Sequence, residues 1–581
     1  MIMKTYHKHL LAIAAIIILG ILVYSNTVHA PFVFDDEHYI TGNPFIKDLN
    51  YFLHPSTAKD LKTANTFLFD SFAIRYIGHL TFALNYALHG LNVAGYHGVN
   101  LCVHVLNALL VYWFVLLTVT TRQFQTGDKE FSTSGPQGRM IALFSALFFV
   151  AHPVQTQAIT YITQRFTSLS TMFFLLSLVL YIVWRNAASR STTPGLATTA
   201  DIGSGSSRLS PLTYIASVAC AILAMKTKEI TVTLPIVITL YEYLFFSGPL
   251  KKRALFLVPF FFALLTVFMA YATTGEPITQ VMRDMNGTAG NRTPLPTPVY
   301  LTTEIAVIVT YLRLLFMPID QNLDYDYPIY HSFFDPTVLL SLFIIGTVLC
   351  SAVFLARGHR HPLVSRLVPF GIFWFFITLA VESSVVPIYD VIFEHRMYLP
   401  SIGALIAVIG GSTALANRIS IRYPVMLKAF AAMAVTALLI VSLAAYERNT
   451  VWRTELALWV DVTEKSPHKA RGFNNVGHVY FEQGNFDMAW QYFRQALTLD
   501  PSYYEAAYNI GIISADLGSY EDAIAYFTQV IAAQPSLGKA YTQRGLAYLS
   551  VGDIKQARSD LQQGCYRADE SGCKNAAQIP P

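Results

Sequence analysis

Repeated apolar segments are the feature that most constrains the fold of this chain. Eleven of them lie before residue 447, each near the roughly 20 residues that a helix needs to cross a bilayer. A further stretch, 299–318, fits either a full crossing or a helix that re-enters or lies on the surface. Only 13% of the residues are charged, against about 25% in a soluble protein. The sequence therefore predicts an all-α, polytopic membrane bundle of about 11 to 12 spans, placed at 10–24, 97–120, 140–158, 166–184, 211–225, 230–247, 255–272, 337–356, 367–386, 397–416 and 424–446.

Lysine and arginine residues cluster between alternate apolar segments, and the positive-inside rule then orients the segments. No clear small-x-small cleavage site follows the first segment, so we expect it to remain as a span with a cytoplasmic N-terminus. The acidic loop after the first span and everything after residue 446 then lie on the external face, together with the turn at His152-Pro153 and the loops 226–229 and 394–396. For 319–336 to join them, segment 299–318 must not cross fully. The net charge of +4 comes largely from these clusters, so no nucleic-acid partner is expected. The clusters are Lys4/Lys8, Arg122/Lys129/Arg139, Arg185/Arg190/Arg208, Lys251/Lys252/Arg253, Arg357/Arg360/Arg366 and Arg418/Arg422/Lys428.

Beyond residue 446 the chain is less apolar and repeats with a period of 34 residues. This period is typical of tetratricopeptide repeats, in which paired helices touch at small residues and a proline follows the second helix. We assign a membrane domain to 1–446, a degenerate half-repeat or linker to 447–469, and the repeats 470–503, 504–537 and 538–571 to a domain 470–581. The recurring positions are Gly477/Gly511/Gly545, Gly484/Gly518/Gly552, Ala489/Ala523/Ala557, Phe493/Phe527/Leu561 and Pro467/Pro501/Pro535.

A solenoid of this kind has a concave surface that binds a peptide or a protein. We expect this surface, including Asn474, Tyr508 and Asn509, to bind a polypeptide; the alternative is that the repeats only stabilise the chain. Cys565 and Cys573 lie near the end of the solenoid, on the face assigned to the outside, where oxidation is allowed. We expect a disulfide between them and not a metal site, because no histidine or further cysteine is near enough in sequence to complete four ligands.

Two adjacent carboxylates, Asp35 and Asp36, follow the first apolar segment at the external membrane surface. A carboxylate there can act as general base for an incoming hydroxyl group, which indicates a membrane-embedded glycosyltransferase with a lipid-linked donor. The alternative is a solvated loop with turn-forming aspartates. Consecutive residues of an extended segment point to opposite sides. We therefore assign Asp35 as the base and Asp36 as an orienting or acceptor-binding group, with the reverse order left open.

Polar side chains inside apolar segments are costly and therefore informative. His97, Asn100, His104 and Asn107 share one stripe of a helix. They either join helices by hydrogen bonds or line a substrate cavity. Basic residues at the external ends of other spans can bind a lipid phosphate, because cations neutralise charge as a phosphate leaves; snorkelling to the interface is the alternative for each of them.

Seven short motifs precede the repeats. They are Phe34-Asp35-Asp36-Glu37, Leu80-Thr81-Phe82-Ala83-Leu84-Asn85-Tyr86, Gly95-Tyr96-His97-Gly98-Val99-Asn100, His152-Pro153-Val154-Gln155-Thr156, Lys228-Glu229, Asn322-Leu323-Asp324-Tyr325 and Glu394-His395-Arg396-Met397-Tyr398-Leu399-Pro400-Ser401. In this order, followed by the repeats, they resemble the transmembrane and tetratricopeptide repeat-containing (TMTC) O-mannosyltransferases and their bacterial relatives. One departure is Gln164-Arg165-Phe166-Thr167, where animal members tend to carry Gly-Arg-Ala-Asp; it keeps the arginine and loses a carboxylate.

The resemblance implies a GT-C fold whose external loops form the active site, with a polyprenyl-phosphate-linked sugar as donor. We expect inverting transfer of a hexose, mannose by the resemblance, to a hydroxyl group of a protein acceptor. No cofactor is required, although Asp35 and Asp36 can hold a divalent cation, Mg2+ or Mn2+. The candidates for binding the donor phosphate, or for holding the cations that do so, are Arg75, His97, His152, Arg165, Lys228, Glu229, Glu394, His395 and Arg396.

The expected location is the bacterial inner membrane, with a cytoplasmic N-terminus and with the active site and the repeats in the periplasm. Membrane lipids, the lipid donor and a protein acceptor are the expected partners. Three alternatives stay open. A lipid-linked oligosaccharide ligase or oligosaccharyltransferase would transfer a whole glycan from a pyrophosphate carrier. A transporter would explain the polar stripe, but the chain has no repeated halves. A non-catalytic, membrane-anchored scaffold would leave Asp35 replaceable.

Overall fold

The computed structural model describes residues 2–61, 66–121, 136–191, 206–276, 295–358, 362–383, 387–423 and 425–578. Within these ranges all regular secondary structure is helical, which confirms the predicted all-α class. The chain forms two compact units, the first of 1–321 with 328–453 and the second of 322–327 with 454–581. The division at Arg453 and Thr454 lies later than the predicted end of the membrane domain at 446. The short segment Asn322–Tyr327, which was assigned to the membrane domain, belongs to the second unit.

Among its described residues, the first unit contains eight helices that are long and apolar enough to cross a membrane. A ninth is possible if the pair Gln137–Ala151 and Pro153–Thr160, bent by 54°, counts as one span. This is fewer than the 11 to 12 expected from about 20-residue windows. Segment 299–318, for which the sequence left a full crossing or a surface helix open, lies on one of these eight helices, Thr297–Phe316. Its length and composition allow it to cross. The eight are His7–Tyr24, Val93–Val119, Ile162–Ala188, Leu250–Thr274, Thr297–Phe316, Pro336–Arg357, Glu394–Ser420 and Lys428–Arg453.

Three predicted spans form helices that are too short to belong to the eight. Segment 211–225 forms the helix Pro211–Met225 and segment 367–386 lies on Leu363–Leu379. Segment 230–247 begins as the 3-10 turn Glu229–Thr233 and continues as the helix Leu234–Phe245. A sequence window counts apolar residues in a tight turn as if they were helical, which explains why 230–247 has the length of a span in the sequence and not in the helix.

Short 3-10 turns precede several helices of the first unit, and three of these turns lie next to proposed site residues. They are Ile162–Gln164, Glu229–Thr233 and Glu394–Met397. A 3-10 turn has fewer residues per turn than the α-helix that follows. Polar side chains in the turn therefore point in other directions than the side chains on the face of that helix. Arg165, Lys228 and His395 all lie in or beside such turns.

The loop between the first two membrane-length helices folds into short helices with an aromatic core. This core contains Tyr39, Phe45, Phe72 and Phe166, and the rings of Phe45 and Phe72 stack with centroids 5.3 Å apart. Phe166 comes from the start of a membrane-length helix, so the core attaches the loop to the bundle. The short helices are Asn50–Leu53, Thr66–Ile74 and Tyr76–His89, with 3-10 or π turns at Glu37–Thr41, Pro44–Ile46 and Thr57–Leu61.

The second unit consists of three helix pairs preceded by one helix and followed by another. A Cβ atom on Gly477 would lie 2.7 Å from the Phe493 ring, and one on Gly511 would lie 2.7 Å from Phe527. Both glycines therefore allow paired helices to touch, as the 34-residue pattern predicts. The pairs are Ala470–Glu482 with Phe486–Leu499, Tyr504–Asp516 with Tyr520–Ala533, and Gly538–Ser550 with Ile554–Tyr566; the flanking helices are Glu455–Lys465 and Glu570–Ala576.

Segment Asn322–Tyr327 binds to the beginning of the repeats, within the second unit. The carboxylate of Asp324 accepts from Arg471 Nε at 2.6 Å and also pairs with Lys469. The amide of Asn322 donates to Ser466 Oγ at 2.8 Å, and Ser466 Oγ donates to the Asp324 carbonyl at 2.8 Å. The motif Asn322-Leu323-Asp324-Tyr325 thus supplies the contacts of a buried ion pair.

Replacing Asp324 by alanine should destabilise the second unit by about 3–5 kcal/mol, because it leaves the buried Arg471 guanidinium without its carboxylate. The matched control is Asp326→Ala, since the Asp326 side chain is exposed. Limited proteolysis of the full-length protein during thermal unfolding measures the effect. Equal protease sensitivity of the two variants would show that the ion pair does not stabilise the repeats.

Three residues used for orienting the spans, Arg122, Lys129 and Arg360, lie outside the described residues. Two others, Arg185 and Arg253, are buried and pair with Glu242 at 3.1 and 3.3 Å. Tyr181 donates to the same carboxylate at 2.9 Å. These two arginines therefore also hold helices together.

Candidate functional site

The two acidic residues after the first span have different surroundings. Phe34 adopts a left-handed backbone conformation, with φ 54°, which is strained for a bulky residue. Asp36 is fully buried. Its Oδ1 accepts from the Thr163 N–H at 2.7 Å and from the Thr163 hydroxyl, and its Oδ2 accepts from the Val33 N–H at 3.1 Å. Asp36 therefore fixes the loop to the turn that precedes a membrane-length helix.

Asp35 is only half-buried. Its backbone N–H donates to the Tyr161 hydroxyl at 2.9 Å, and its side chain interacts with the same hydroxyl. The neighbouring carboxylate of Asp36 is already engaged by three donors, so Asp35 is the carboxylate of this pair that an incoming group can reach. This geometry agrees with the assignment of Asp35 as base and Asp36 as orienting residue.

Burial raises the pKa of Asp36 to about 7, although its hydrogen bonds with Thr163 and Val33 act in the opposite direction. A free aspartate titrates near 3.8. Between these values the folded chain binds more protons than the unfolded chain, so the contribution of Asp36 to stability is complete below about pH 4 and is lost as the pH rises to about 7.

The wild type should therefore lose stability relative to Asp36→Asn across this window, by about 1.4 kcal/mol per pH unit. Asparagine does not titrate, so the variant lacks this dependence. Denaturant unfolding in detergent at several pH values, for both proteins, measures the difference. Parallel pH curves would contradict the raised pKa.

Arg75 and Glu229 form the first part of a charged cluster. The Arg75 Nε lies 3.1 Å from Glu229 Oε1, and Arg75 NH2 lies 3.2 Å from Oε2. The side chains keep 18% and 19% of their surface exposed, so a ligand can reach them. Burial alone would raise the pKa of Glu229, but Arg75 leaves it below its ordinary value.

Tyr39 connects this ion pair with the acidic pair. Burial raises the pKa of the Tyr39 hydroxyl to about 12, the charge of Arg75 opposes this shift, and the charge of Asp35 adds to it. Both side chains therefore lie within electrostatic range of one buried phenol. The half-buried carboxylate and the partly exposed guanidinium therefore act on the same buried side chain.

Lys228 and Glu382 form the second part of the cluster. The Lys228 ammonium lies 2.9 Å from Glu382 Oε1 and donates to Thr167 Oγ1 at 2.9 Å. Burial lowers the pKa of Lys228; Glu382 opposes this shift and Arg75 adds to it. Lys228 is thus a buried cation close to Arg75.

His395 and Arg396 form the third part. Arg396 donates to the carbonyls of Asp390 and Val391 at 2.6 and 2.8 Å, and lies 3.8 Å from Glu304. The His395 backbone N–H donates to Gln157 Oε1 at 2.7 Å. Its Nδ1 is buried and has no hydrogen-bond partner among the described residues. The charges of Lys228, Arg396 and Arg75 all act on this ring.

Two histidines proposed as donor ligands bond to the protein backbone. The ring Nε2 of His97 lies 2.9 Å from the Ala30 carbonyl, which attaches the chain just before the acidic loop. His152 caps the turn that follows it, because its Nδ1 accepts from the Val154 N–H at 3.2 Å and its Nε2 donates to the Leu315 carbonyl at 3.0 Å. Both rings are buried, and these contacts attach them to the protein backbone, so donor binding by His97 and His152 stays a prediction.

Arg165 and Glu394 also lie apart from the cluster. The guanidinium of Arg165 is fully buried, donates to Asn100 Oδ1 at 2.6 Å and to the Tyr96 carbonyl at 3.1 Å, and lies over the Phe82 ring at 4.4 Å. The carboxylate of Glu394 accepts from Gln321 Nε2 at 2.7 Å. A phosphate would have to displace these partners to reach Arg165. The roles of Arg165 and Glu394 in donor binding stay predictions, and the proposed site does not include them.

The polar stripe of the second span joins helices. Asn100 donates to the carbonyls of Ile159 and Ile162 at 3.1 and 3.2 Å. His104 and Asn107 both bond to the Tyr398 hydroxyl, at 2.7 and 3.1 Å. Interhelical hydrogen bonding, one of the two interpretations of the stripe, therefore accounts for these contacts.

Sequence reasoning missed Tyr39, Glu304 and Glu382. Glu304 carried a signal, because an acidic residue inside a span is costly and marks a functional position. Glu382 carried the same signal within the predicted span 367–386. Nothing in the sequence distinguished Tyr39 from the other aromatic residues of its loop.

The acidic pair does not fit a divalent cation. Both oxygens of Asp36 are occupied by protein donors. In the part of the chain that the structure describes, no group of three His, Cys, Asp or Glu side chains could hold a metal ion. A cation at Asp35 would have only this one carboxylate of the pair as a ligand, fewer protein ligands than a dedicated site uses.

In the second unit, the residues proposed for polypeptide binding form part of a polar row. Asn509 Nδ2 lies 3.5 Å from Asn474 Oδ1, and Asn474 donates to Asn475 Oδ1 at 3.2 Å. The Tyr508 ring packs against Phe527 with centroids 5.7 Å apart. The expected disulfide between Cys565 and Cys573 is present.

Known proteins resemble this chain both in its repeats and over most of its length. Models of the tetratricopeptide repeat match residues 477–537 and 538–570. The chain is similar to "Protein O-mannosyl-transferase Tmtc3" of Drosophila melanogaster, with 26% identity over 85% of this chain and 55% of that protein. It is also similar to "Protein O-mannosyl-transferase F38B6.6" of Caenorhabditis elegans, with 25% identity over 84% and 62%, and to human "Protein O-mannosyl-transferase TMTC3", with 24% identity over 84% and 51%.

The matched region thus spans only 51–62% of the length of these three relatives. Its identity of 24–26% extends through the membrane unit and into the repeats. The family expected from the sequence motifs is the family of these relatives. The chain is therefore a homologue of the TMTC protein O-mannosyltransferases.

Proposed function

We propose that this protein is a membrane glycosyltransferase that moves a hexose, mannose by analogy with its relatives, from a polyprenyl-phosphate carrier to a hydroxyl group of a protein. One observation carries the proposal: the half-buried Asp35 and the partly exposed Arg75 both act on the buried Tyr39, whose ring packs against Phe166, the ring that lies under the Arg75 guanidinium. A base for the acceptor and a cation for the leaving phosphate are therefore available at one site.

In the proposed reaction, Asp35 removes the proton of an acceptor hydroxyl while its oxygen attacks the anomeric carbon of the donor. The bond from that carbon to the phosphate oxygen breaks, and the lipid phosphate leaves with the bonding electrons. One displacement inverts the anomeric configuration. Arg75, Lys228 and His395 stabilise the negative charge that develops on the phosphate.

Asp36 acts as a positioning residue in this scheme. Its bonds to Thr163 and Val33 fix the backbone on both sides of Asp35. Glu229 and Glu382 hold Arg75 and Lys228 in place. Each carboxylate also limits the cost of burying its cation before the donor binds.

The transfer itself tests the proposal. The full-length protein in lipid nanodiscs is incubated with radiolabelled polyprenyl-phosphate mannose and a polypeptide rich in serine and threonine. We expect labelled polypeptide whose sugar is released by β-elimination. Transfer only from an oligosaccharide pyrophosphate carrier would identify a ligase, and absence of transfer from either donor would favour a scaffold.

The active site and the repeats are proposed to face the outside of the cell, the periplasm in a bacterium. The support is the charge pattern between the spans. A C-terminal alkaline phosphatase fusion should therefore be active, because this enzyme needs an oxidising compartment. A fusion to a fluorescent protein that matures only in the cytoplasm is the matched control, and bright fluorescence would contradict this orientation.

A further inference from the structure

Glu304 is a buried carboxylate that lacks the partners such a group needs. It lies in the helix Thr297–Phe316 and is 1% exposed. Neither of its oxygens has a hydrogen-bond partner among the residues that the structure describes. Its ion-pair partner, Arg396, is 3.8 Å away and directs its donors to two backbone carbonyls. An ionised carboxylate in this position is costly until donors reach it.

The neighbouring hydroxyl groups of Tyr300 and Ser383 interact with this carboxylate, but neither reaches good hydrogen-bond geometry with it. Tyr300 lies beside Glu304, but its hydroxyl donates to the Glu382 carbonyl at 2.7 Å. Ser383 also lies beside Glu304, and its buried Oγ has no partner within the described ranges. The two carboxylate oxygens and this hydroxyl therefore form a group of buried polar atoms with unused hydrogen-bonding capacity.

This group adjoins the cations proposed for the donor phosphate. Ser383 follows Glu382, which pairs with Lys228 at 2.9 Å. Arg396, which pairs with Glu304, follows His395 in sequence and acts electrostatically on its ring. In a glycosyl phosphate the sugar ring is bonded directly to the phosphate, so its hydroxyl groups reach only positions next to the phosphate site.

We propose that Glu304 and Ser383 bind hydroxyl groups of the donor sugar. This inference rests on the proposed function and adds a sugar subsite to it. A carboxylate accepts hydrogen bonds from two hydroxyl groups, and the serine can accept one or donate one. These acceptors and this donor match the hydroxyl groups of a neutral hexose.

Two lipids distinguish the subsite from the phosphate site. Affinities of the full-length protein are measured for polyprenyl phosphate and for polyprenyl-phosphate mannose. The wild type should bind the mannosyl lipid more tightly. Glu304→Gln should weaken binding of the mannosyl lipid by about tenfold and leave binding of polyprenyl phosphate unchanged. Ser383→Ala, a smaller change that is safer for folding, should act in the same direction with a smaller factor.

Equal affinity of the wild type for the two lipids would overturn the subsite and leave the phosphate site, and with it the proposed donor class, in place. The subsite would also be overturned if Glu304→Gln and Ser383→Ala weakened the binding of both lipids equally. Glu304 would then act only through Arg396. Failure of the wild type to bind either lipid would overturn the proposed function together with the subsite.

Discussion

Replacing Asp35 by asparagine should lower the rate of sugar transfer by about 10²–10⁴-fold, the usual contribution of a general base. Asparagine keeps the size of the side chain and can still contact the Tyr161 hydroxyl, but it cannot take a proton from the acceptor. Binding of the lipid donor should be unchanged, because the phosphate is assigned to Arg75, Lys228 and His395. Initial rates and donor affinities of the purified variant measure the two effects separately.

The matched control is Glu37→Gln, since Glu37 is an exposed carboxylate of the same loop. This variant should keep wild-type activity. Asp36→Asn should behave differently from both, because loss of an acceptor for Thr163 or Val33 loosens the loop and should lower thermal stability together with activity. Full activity of Asp35→Asn would exclude Asp35 as the base.

The periodic parts of the structure were predictable because their signals are local. The 34-residue period placed Gly477 and Gly511 where paired helices touch, and both glycines do lie against a phenylalanine ring. Apolar length predicted most of the long helices. It failed where a tight turn interrupts an apolar run, as at the His152-Pro153 break and the turn Glu229–Thr233.

The candidate site was predicted only in part, for a related reason. Histidine or arginine at the end of a span has the same sequence signal whether it faces a ligand or satisfies backbone carbonyls. Lys228 and His395 join the charged cluster, whereas His152 and Arg165 bond to the backbone of other elements. Whether such a side chain faces a ligand or the backbone depends on partners more than 60 residues away in sequence. The sequence of one protein does not reveal those partners.

The segment Asn322–Tyr327 shows the same limit at the level of domains. Its motif was recognised, but its partners Ser466 and Arg471 lie some 140 residues later. Hydropathy assigned the segment to the membrane domain because apolar helices flank it. Only the three-dimensional contacts place it with the repeats.

Replacing Lys228 by methionine should lower the transfer rate by about 10²–10³-fold, the range observed when one preorganised donor to a developing negative charge is removed. The ammonium lies 2.9 Å from Glu382. Its removal leaves that carboxylate buried without a cation, at the place where the phosphate becomes more negative. Repulsion between Glu382 and the phosphate then adds to the loss of attraction. We therefore expect a lower turnover rate and weaker inhibition by the product, polyprenyl phosphate.

Lys226→Met is the matched control, because Lys226 lies two residues away, is half-buried and is not part of the charged cluster. It should stay within about threefold of the wild type, a difference of less than 1 kcal/mol. Lys228→Arg keeps the charge but replaces a compact ammonium by a planar fork, so it should recover part of the rate. If Lys228→Met kept both the wild-type rate and the wild-type inhibition by polyprenyl phosphate, the leaving phosphate would not contact this cation. The charged cluster would then serve only to hold the helices together, and Arg75 would be the remaining cation next to the base.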